Sequence, residues 1–210
     1  MDAAQWDARY AQADLVWKAE PNQWVRQHTA ELASGSALDL ACGEGRNAVW
    51  LADRGWRVTA VDFSAVAIDK GRRRAEAGGP RLATRIDWRV ADVTDYVPDG
   101  CFDLVMAIYL QLPAAQRRAA LRIAARAVAP GGRLLVVAHH SDNRERGVGG
   151  PPDPAVLYTE RDVLSDVVEV SRLRPVTAER VERFVEGADR PALDLVVELV
   201  DHGEPRVATG

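Results

Sequence analysis

The chain is short of cysteine, of excess basic charge and of long apolar runs, and each shortage closes off a class of function. Two cysteines, Cys42 and Cys101, in 210 residues cannot build a disulfide framework, and neither belongs to a CxxC pair or a zinc-type cluster. A reducing compartment suits such a chain. Lysine and arginine number 27 against 31 aspartate and glutamate, a formal net charge of −4, so there is no basic field of the kind that holds a phosphate backbone. Nucleic acid is therefore set aside as a partner. No run reaches the roughly 18 apolar residues that span a bilayer, and "MDAAQWDARY" opens with an acid rather than a basic segment leading into an apolar one. The expectation is a cytoplasmic protein with no membrane partner, acting as a monomer or homodimer.

What is present is an alternation of short apolar runs and longer helical patterns, the order of a parallel sheet covered by helices. The length predicts one domain, with a helical cap segment over 1–35, a cofactor-binding half over 36–140, and a loop, helix and hairpin over 141–210. Trp24, Val25, His28 and Leu32 fall at helical spacing before "SGS" breaks the pattern. "LDLACGEGRNA" then gives a strand and a glycine turn, and "WRVTAVD" (56–62) a second strand. A helix from the N-cap Ser64 through Ala77 leads to "IDWRVAD" (86–92). "FDLVMAIYL", "AAQRRAALRIAARAVA" and "GGRLLVVA" supply strand, helix and strand, with Gly131 and Gly132 closing the helix. Glycine and proline in "RERGVGGPPDPAVLY" mark a functional or disordered loop, expected to act as a lid over 147–158. Thr159 caps a further helix, and strands over 179–185 and 193–200 are joined too closely for a parallel crossover. The fold class is α/β: a Rossmann-like, doubly wound, seven-stranded sheet, mostly parallel, finished by an antiparallel C-terminal hairpin.

The spacing of Gly43, Gly45 and Ala48 after an apolar strand satisfies a dinucleotide fingerprint, in which glycines admit a close backbone approach at a helix N-terminus. That stretch alone does not choose a cofactor. Taken with "VADVTDY" and "APGGRLLVV", it resembles the class I S-adenosylmethionine-dependent methyltransferases. "GEGRNAVWLA" and the opening "WDARY" are similar to the small tellurite-resistance-type and thiopurine-type members. The resemblance implies S-adenosyl-L-methionine as cofactor and a small-molecule methyl acceptor.

This ligand has no pyrophosphate but carries an amino acid, a ribose and an adenine, which suits three acids at strand ends. Asp39 would hold the cationic amino group, and the backbone of Ala41, Gly43 and Gly45 would let the methionine part lie close. Asp62 would accept both ribose hydroxyls, a placement that a NAD site shares. By resemblance, Asp92 accepts from the adenine amino group beside the Val93 amide, and Asn47, Phe63, Ala107 and Trp17 complete the cofactor set. The aromatic N-terminal segment, with Trp17, Asn22 and Trp24, is expected to close over the entrance. Tyr109, His139 and His140 adjoin the sheet edge where the acceptor would bind.

His139 and His140 point to opposite faces if the strand persists, so transfer is expected to be independent of metal. With no acid–base pair legible, the expected acceptor is a thiol or a chalcogen oxyanion, which needs no base. Cys42, Trp50, Trp56 and Trp88 read as packing, and Arg72, Arg73 and Arg74 as a solvated face. The competing readings are an NAD(P)-dependent oxidoreductase on a similar sheet and a non-catalytic cofactor-binding regulatory module.

Overall fold

A computed structural model describes residues 3–16 and 19–203, which fall into two compact units, Met1–Tyr96 and Val97–Gly210. The first carries α1 (Ala3–Ala11), α2 (Gln23–Thr29), β1 (Ser36–Leu40), α3 (Arg46–Asp53), β2 (Arg57–Asp62), α4 (Ala65–Ala77), α5 (Pro80–Ala83) and β3 (Ile86–Val90). The second carries β4 (Phe102–Ile108), α6 (Ala114–Arg126), β5 (Val128–His139), α7 (Asn143–Arg146), a 3-10 turn at Pro154–Val156, α8 (Glu160–Val167), β6 (Leu173–Arg183) and β7 (Ala192–Asp201). The seven strands run in the order β3-β2-β1-β4-β5-β7-β6, parallel within β1-β2-β3 and β4-β5 and antiparallel across β5-β7-β6.

Burial follows strand position. β1, β4 and β7 are almost wholly buried, whereas β3 and β6, at the ends of the order, face water along much of their length. In α4 the Ser64 hydroxyl accepts from the Ala67 amide at 3.1 Å, a cap worth about 1 kcal/mol. Ala67, Ile68, Gly71 and Ala75 form its buried face. Thr159 and Asp162 close a reciprocal capping box on α8.

Two expectations need correction. Gly131 and Gly132 do not end α6, because β5 already begins at Val128 and the glycines sit in its irregular first half, where the register with β4 shifts. β6 starts at Leu173 rather than 179, since an edge strand tolerates Pro175 at a bulge and exposes its charged face. The 147–158 loop ends inside the core: Leu157 and Tyr158 are buried, and the Tyr158 hydroxyl donates to the Leu110 carbonyl at 2.9 Å.

Candidate active site

Within the first unit, β1 delivers the chain into a turn that only unusual backbone conformations close. Ala41, Gly43 and Gly45 take φ of 58°, 54° and 69°, a region open to glycine and costing other residues about 1–2 kcal/mol. Asp62, at the end of β2, holds this turn: its Oδ2 accepts from the Gly43 amide at 2.8 Å and its Oδ1 from the Ser64 amide at 2.9 Å. Burial pushes the Asp62 carboxyl up, opposed by these two amides. Gly45 has a second reason to lack a side chain. A Cβ there would lie 2.2 Å from the Trp88 ring, and one on Gly71 2.5 Å from it, so the indole fills a slot between two glycines.

Asp39 is the chemically exposed member of this set in every sense but the geometric one. It is 1% accessible, and neither carboxylate oxygen has a hydrogen-bond partner. Burial, with Asp62 nearby and Arg46 opposing, raises it to about 7. A buried carboxylate without a donor is costly. Cys42 is buried between Asp39 and the glycines, and burial pushes its thiol up, which suits packing rather than nucleophilic attack.

The same turn grips the N-terminal segment. Both Glu44 carboxylate oxygens lie within hydrogen-bond reach of the Val16 amide, at 3.0 and 3.2 Å, and one also pairs with Lys70 at 3.3 Å. Lys70 in turn donates to the Tyr10 and Ala13 carbonyls. Asn47, expected at the cofactor, spends its Oδ1 on the Asn22 amide at 2.9 Å, and Asn22 caps α2. Arg74 donates to the carbonyls of Glu44 and Ala19, so the arginine run is not solvated throughout. Trp17 lies outside the described residues.

Asp92 is exposed, and its Oδ1 accepts from both the amide and the hydroxyl of Thr94 at 2.8 Å; Val93 is buried and Phe63 half-buried.

In the second unit, Tyr109 leaves β4 at φ 56°, the other non-glycine residue in the left-handed region among those described. Its hydroxyl donates to Asp194 Oδ2 at 2.8 Å. Arg183 Nε donates to the same oxygen at 2.7 Å, and His139 Nδ1 stands 3.3 Å from Oδ1. Asp194 has no accessible surface. Burial raises its carboxyl, but the His139, Arg183 and Tyr109 groups outweigh this and hold it at about 2. The His139 and Tyr109 rings lie 4.8 Å apart, and Ala107 is fully buried in β4. His140 takes a separate environment, with Nδ1 accepting from the Asp142 amide at 3.0 Å and Nε2 at 3.4 Å from Glu160. The two histidines are therefore not one site. Among the described residues no three His, Cys, Asp or Glu side chains converge on a possible metal position.

Asp194 and Arg183 escaped the sequence reading. An acid inside "ALDLVVELV" is the one local signal, since a charge within a buried apolar strand needs partners.

Comparison with known proteins gives the family. Residues 37–132 match the methyltransferase domain family. Nodulation protein S of Rhizobium tropici is 30% identical over 174 residues, covering 77% of this chain and 69% of that one. Among solved structures, the N-methyltransferase NodS of Bradyrhizobium japonicum WM9 with S-adenosylhomocysteine has a TM-score of 0.70 at 22% identity, over 96% of this chain and 100% of that one. The glycopeptide N-methyltransferase MtfA with S-adenosylmethionine has a TM-score of 0.67 at 21% identity, over 88% and 95%. The narrower likeness to tellurite-resistance-type and thiopurine-type enzymes has no counterpart among these, and the oxidoreductase and non-catalytic readings give way. The chain belongs to the S-adenosylmethionine-dependent methyltransferases of class I.

Proposed function

We propose that the enzyme methylates a small-molecule amine, with His139 as the base that frees the acceptor nitrogen of its proton. The cofactor contributes a methyl group already electrophilic on a sulfonium. The protein's work is to hold and align, which in well-oriented systems supplies roughly 7–11 kcal/mol. Asp39 would pair with the cofactor's ammonium, the Ala41, Gly43 and Gly45 backbone would lie along its methionine part, and Asp62 and Asp92 would take the ribose and adenine donors. Phe63, Val93 and Asn47 would shape the walls.

The observation that carries the acceptor class is His139 beside the fully buried Asp194. A thiol or chalcogen oxyanion, the acceptor expected where no base is legible, has no need of such a pair. An ammonium must lose a proton before its nitrogen can attack, and a base contributes typically 10²–10⁴-fold. NodS and MtfA, whose folds this chain resembles, are N-methyltransferases, which supports the same reading. Transfer of a labelled methyl from S-adenosylmethionine to a panel containing glycine, glucosamine, tyramine, cysteine, a phenol and selenite tests this. An amine is expected to be the fastest acceptor; faster methylation of cysteine or selenite overturns the amine assignment.

A further inference from the structure

We infer that Asp194 is a positioning residue that keeps the proton of His139 on Nδ1, leaving Nε2 bare to receive a proton from the acceptor. The inference rests on the transferase reading above and concerns the same histidine.

Strand register makes the pair. β5 and β7 run antiparallel with His139 directly opposite Asp194, close enough for cross-strand side chains to meet. The His139 backbone is fixed as well: its amide donates to Gln111 Oε1 at 2.9 Å, and Gln111 Nε2 donates to the Val156 carbonyl at 2.5 Å. Gly150, at φ 81°, lies against the ring so closely that a Cβ there would come within 3.0 Å of His139 Cγ. A ring packed by Tyr109 and Gly150 and tethered through its amide has little freedom to turn over.

The charged and titratable groups around it come from three directions: Asp194 on β7, Arg183 on β6 and Tyr109 after β4. Tyr109 Oη and Arg183 Nε both donate to Oδ2, while His139 Nδ1 stands 3.3 Å from Oδ1, beside a weaker contact from the far Arg183 nitrogen at 3.5 Å. Nδ1 meets no partner at full hydrogen-bond geometry in the ligand-free chain, so this is a close approach to the carboxylate, of the kind that tightens into a hydrogen bond when ligands bind. A carboxylate can only accept here, so the histidine nitrogen facing it must carry the hydrogen, and the other ring nitrogen is then an acceptor. Tyr109 holds a strained backbone while reaching this carboxylate, and such strain gathers at working sites. In turnover the acceptor's N–H bond breaks with its electron pair kept on nitrogen. The proton lands on Nε2, Asp194 offsets the imidazolium charge, and the proton then returns to solvent.

The test reads the tautomer directly. In the full-length chain labelled with 15N-histidine, with His139→Gln assigning the signal, the wild type is expected to show a protonated Nδ1 and a bare Nε2 at neutral pH. In Asp194→Asn, Tyr109 and Arg183 keep the amide oxygen at the Oδ2 position, so the NH₂ group faces His139 and the tautomer reverses. Amine turnover in that variant should fall by about 10²-fold or more in kcat, with acceptor KM and S-adenosylhomocysteine affinity nearly unchanged. A wild-type His139 protonated on Nε2, or an unchanged tautomer in folded Asp194→Asn, overturns the inference. Should Asp194→Asn fail to fold, the wild-type tautomer still decides. Wild-type failure to methylate any amine would instead overturn the transferase assignment to amines, while leaving the tautomer result to stand or fall by itself.

Discussion

Replacing Asp39 by Asn should make the protein more stable and a poorer binder of its cofactor, two effects of opposite sign from one atom. The carboxyl sits at about 7 against an ordinary 3.8, and at about 1.4 kcal/mol per pKa unit ionising it in the folded protein costs up to roughly 4 kcal/mol. An Asn amide, equally without partners, gives back about 1–3 kcal/mol of that, leaving a net gain of roughly 1–3 kcal/mol above pH 7. The sign follows from linkage. Asp39 binds its proton more tightly folded than unfolded, so its contribution falls as pH rises from about 4 through 7, and the penalty is complete above 7. At pH 5 only about one pKa unit of that penalty, roughly 1.5 kcal/mol, is present, about what the unpartnered Asn amide costs, so the advantage of Asn should nearly vanish. Thermal unfolding of both proteins at pH 5 and pH 8, without ligand, should therefore show a Tm difference chiefly at pH 8, of several degrees at about 2–4 °C per kcal/mol. Calorimetric titration with S-adenosylhomocysteine should show the converse loss, tenfold or more. Below pH 7, wild-type binding should also release a proton, because the ligand ammonium pulls Asp39 to its charged form. An equal stability difference at both pH values, or unaltered affinity in Asp39→Asn, would refute the reasoning.

Gly45→Ala should cost roughly 2–4 kcal/mol in chemical denaturation, since the new methyl meets the Trp88 ring and the backbone stays left-handed; in a Trp88→Ala background the same change should cost only about 1 kcal/mol. Asn143 ties the glycine-rich loop to β7, donating to the Gly149 carbonyl at 2.8 Å and accepting from the Leu193 amide at 2.7 Å. Asn143→Ala should accelerate hydrogen exchange over 147–153 and at Leu193, with a stability loss of roughly 2–4 kcal/mol; unchanged exchange there would mean that the loop is held elsewhere. Glu44→Gln should loosen residues 3–16 in the same experiment, because Val16 and Lys70 lose a charged partner.

Much of the sheet was readable because its signals are local. The Ser64 cap, the Thr159 box and the continuous apolar runs of β1 and β4 declare themselves within a few residues, and the glycine turn is held where its spacing said. Local pattern failed at the edges and in the loops. Pro175 and a charged face disguised the start of β6, and Gly131 and Gly132 look like a helix stop although the strand passes through them. Tyr158 follows a glycine- and proline-rich stretch yet belongs to the core, anchored by Leu110 and by Arg117 stacked 4.8 Å from its ring. The candidate site divides the same way. Asp39 and Asp62 stand at strand ends, where chemistry in such sheets is expected, but nothing near His139 in sequence announces Asp194, because strand register brings the two together. Asn47 reads as part of a cofactor turn, and its partner Asn22, like Val16 opposite Glu44, lies in a segment with no strand to mark it.

Calorimetric titration of wild type and Asp62→Ala with S-adenosylhomocysteine and with NAD⁺ tests the central claim that the turn after β1 is a class I cofactor site. The wild type should bind one S-adenosylhomocysteine per chain and no NAD⁺, and folded Asp62→Ala should bind at least about tenfold more weakly, having lost charge-assisted bonds worth about 1.5–3 kcal/mol each. Undiminished binding by folded Asp62→Ala, or tight binding of NAD⁺ with none of S-adenosylhomocysteine, would contradict it.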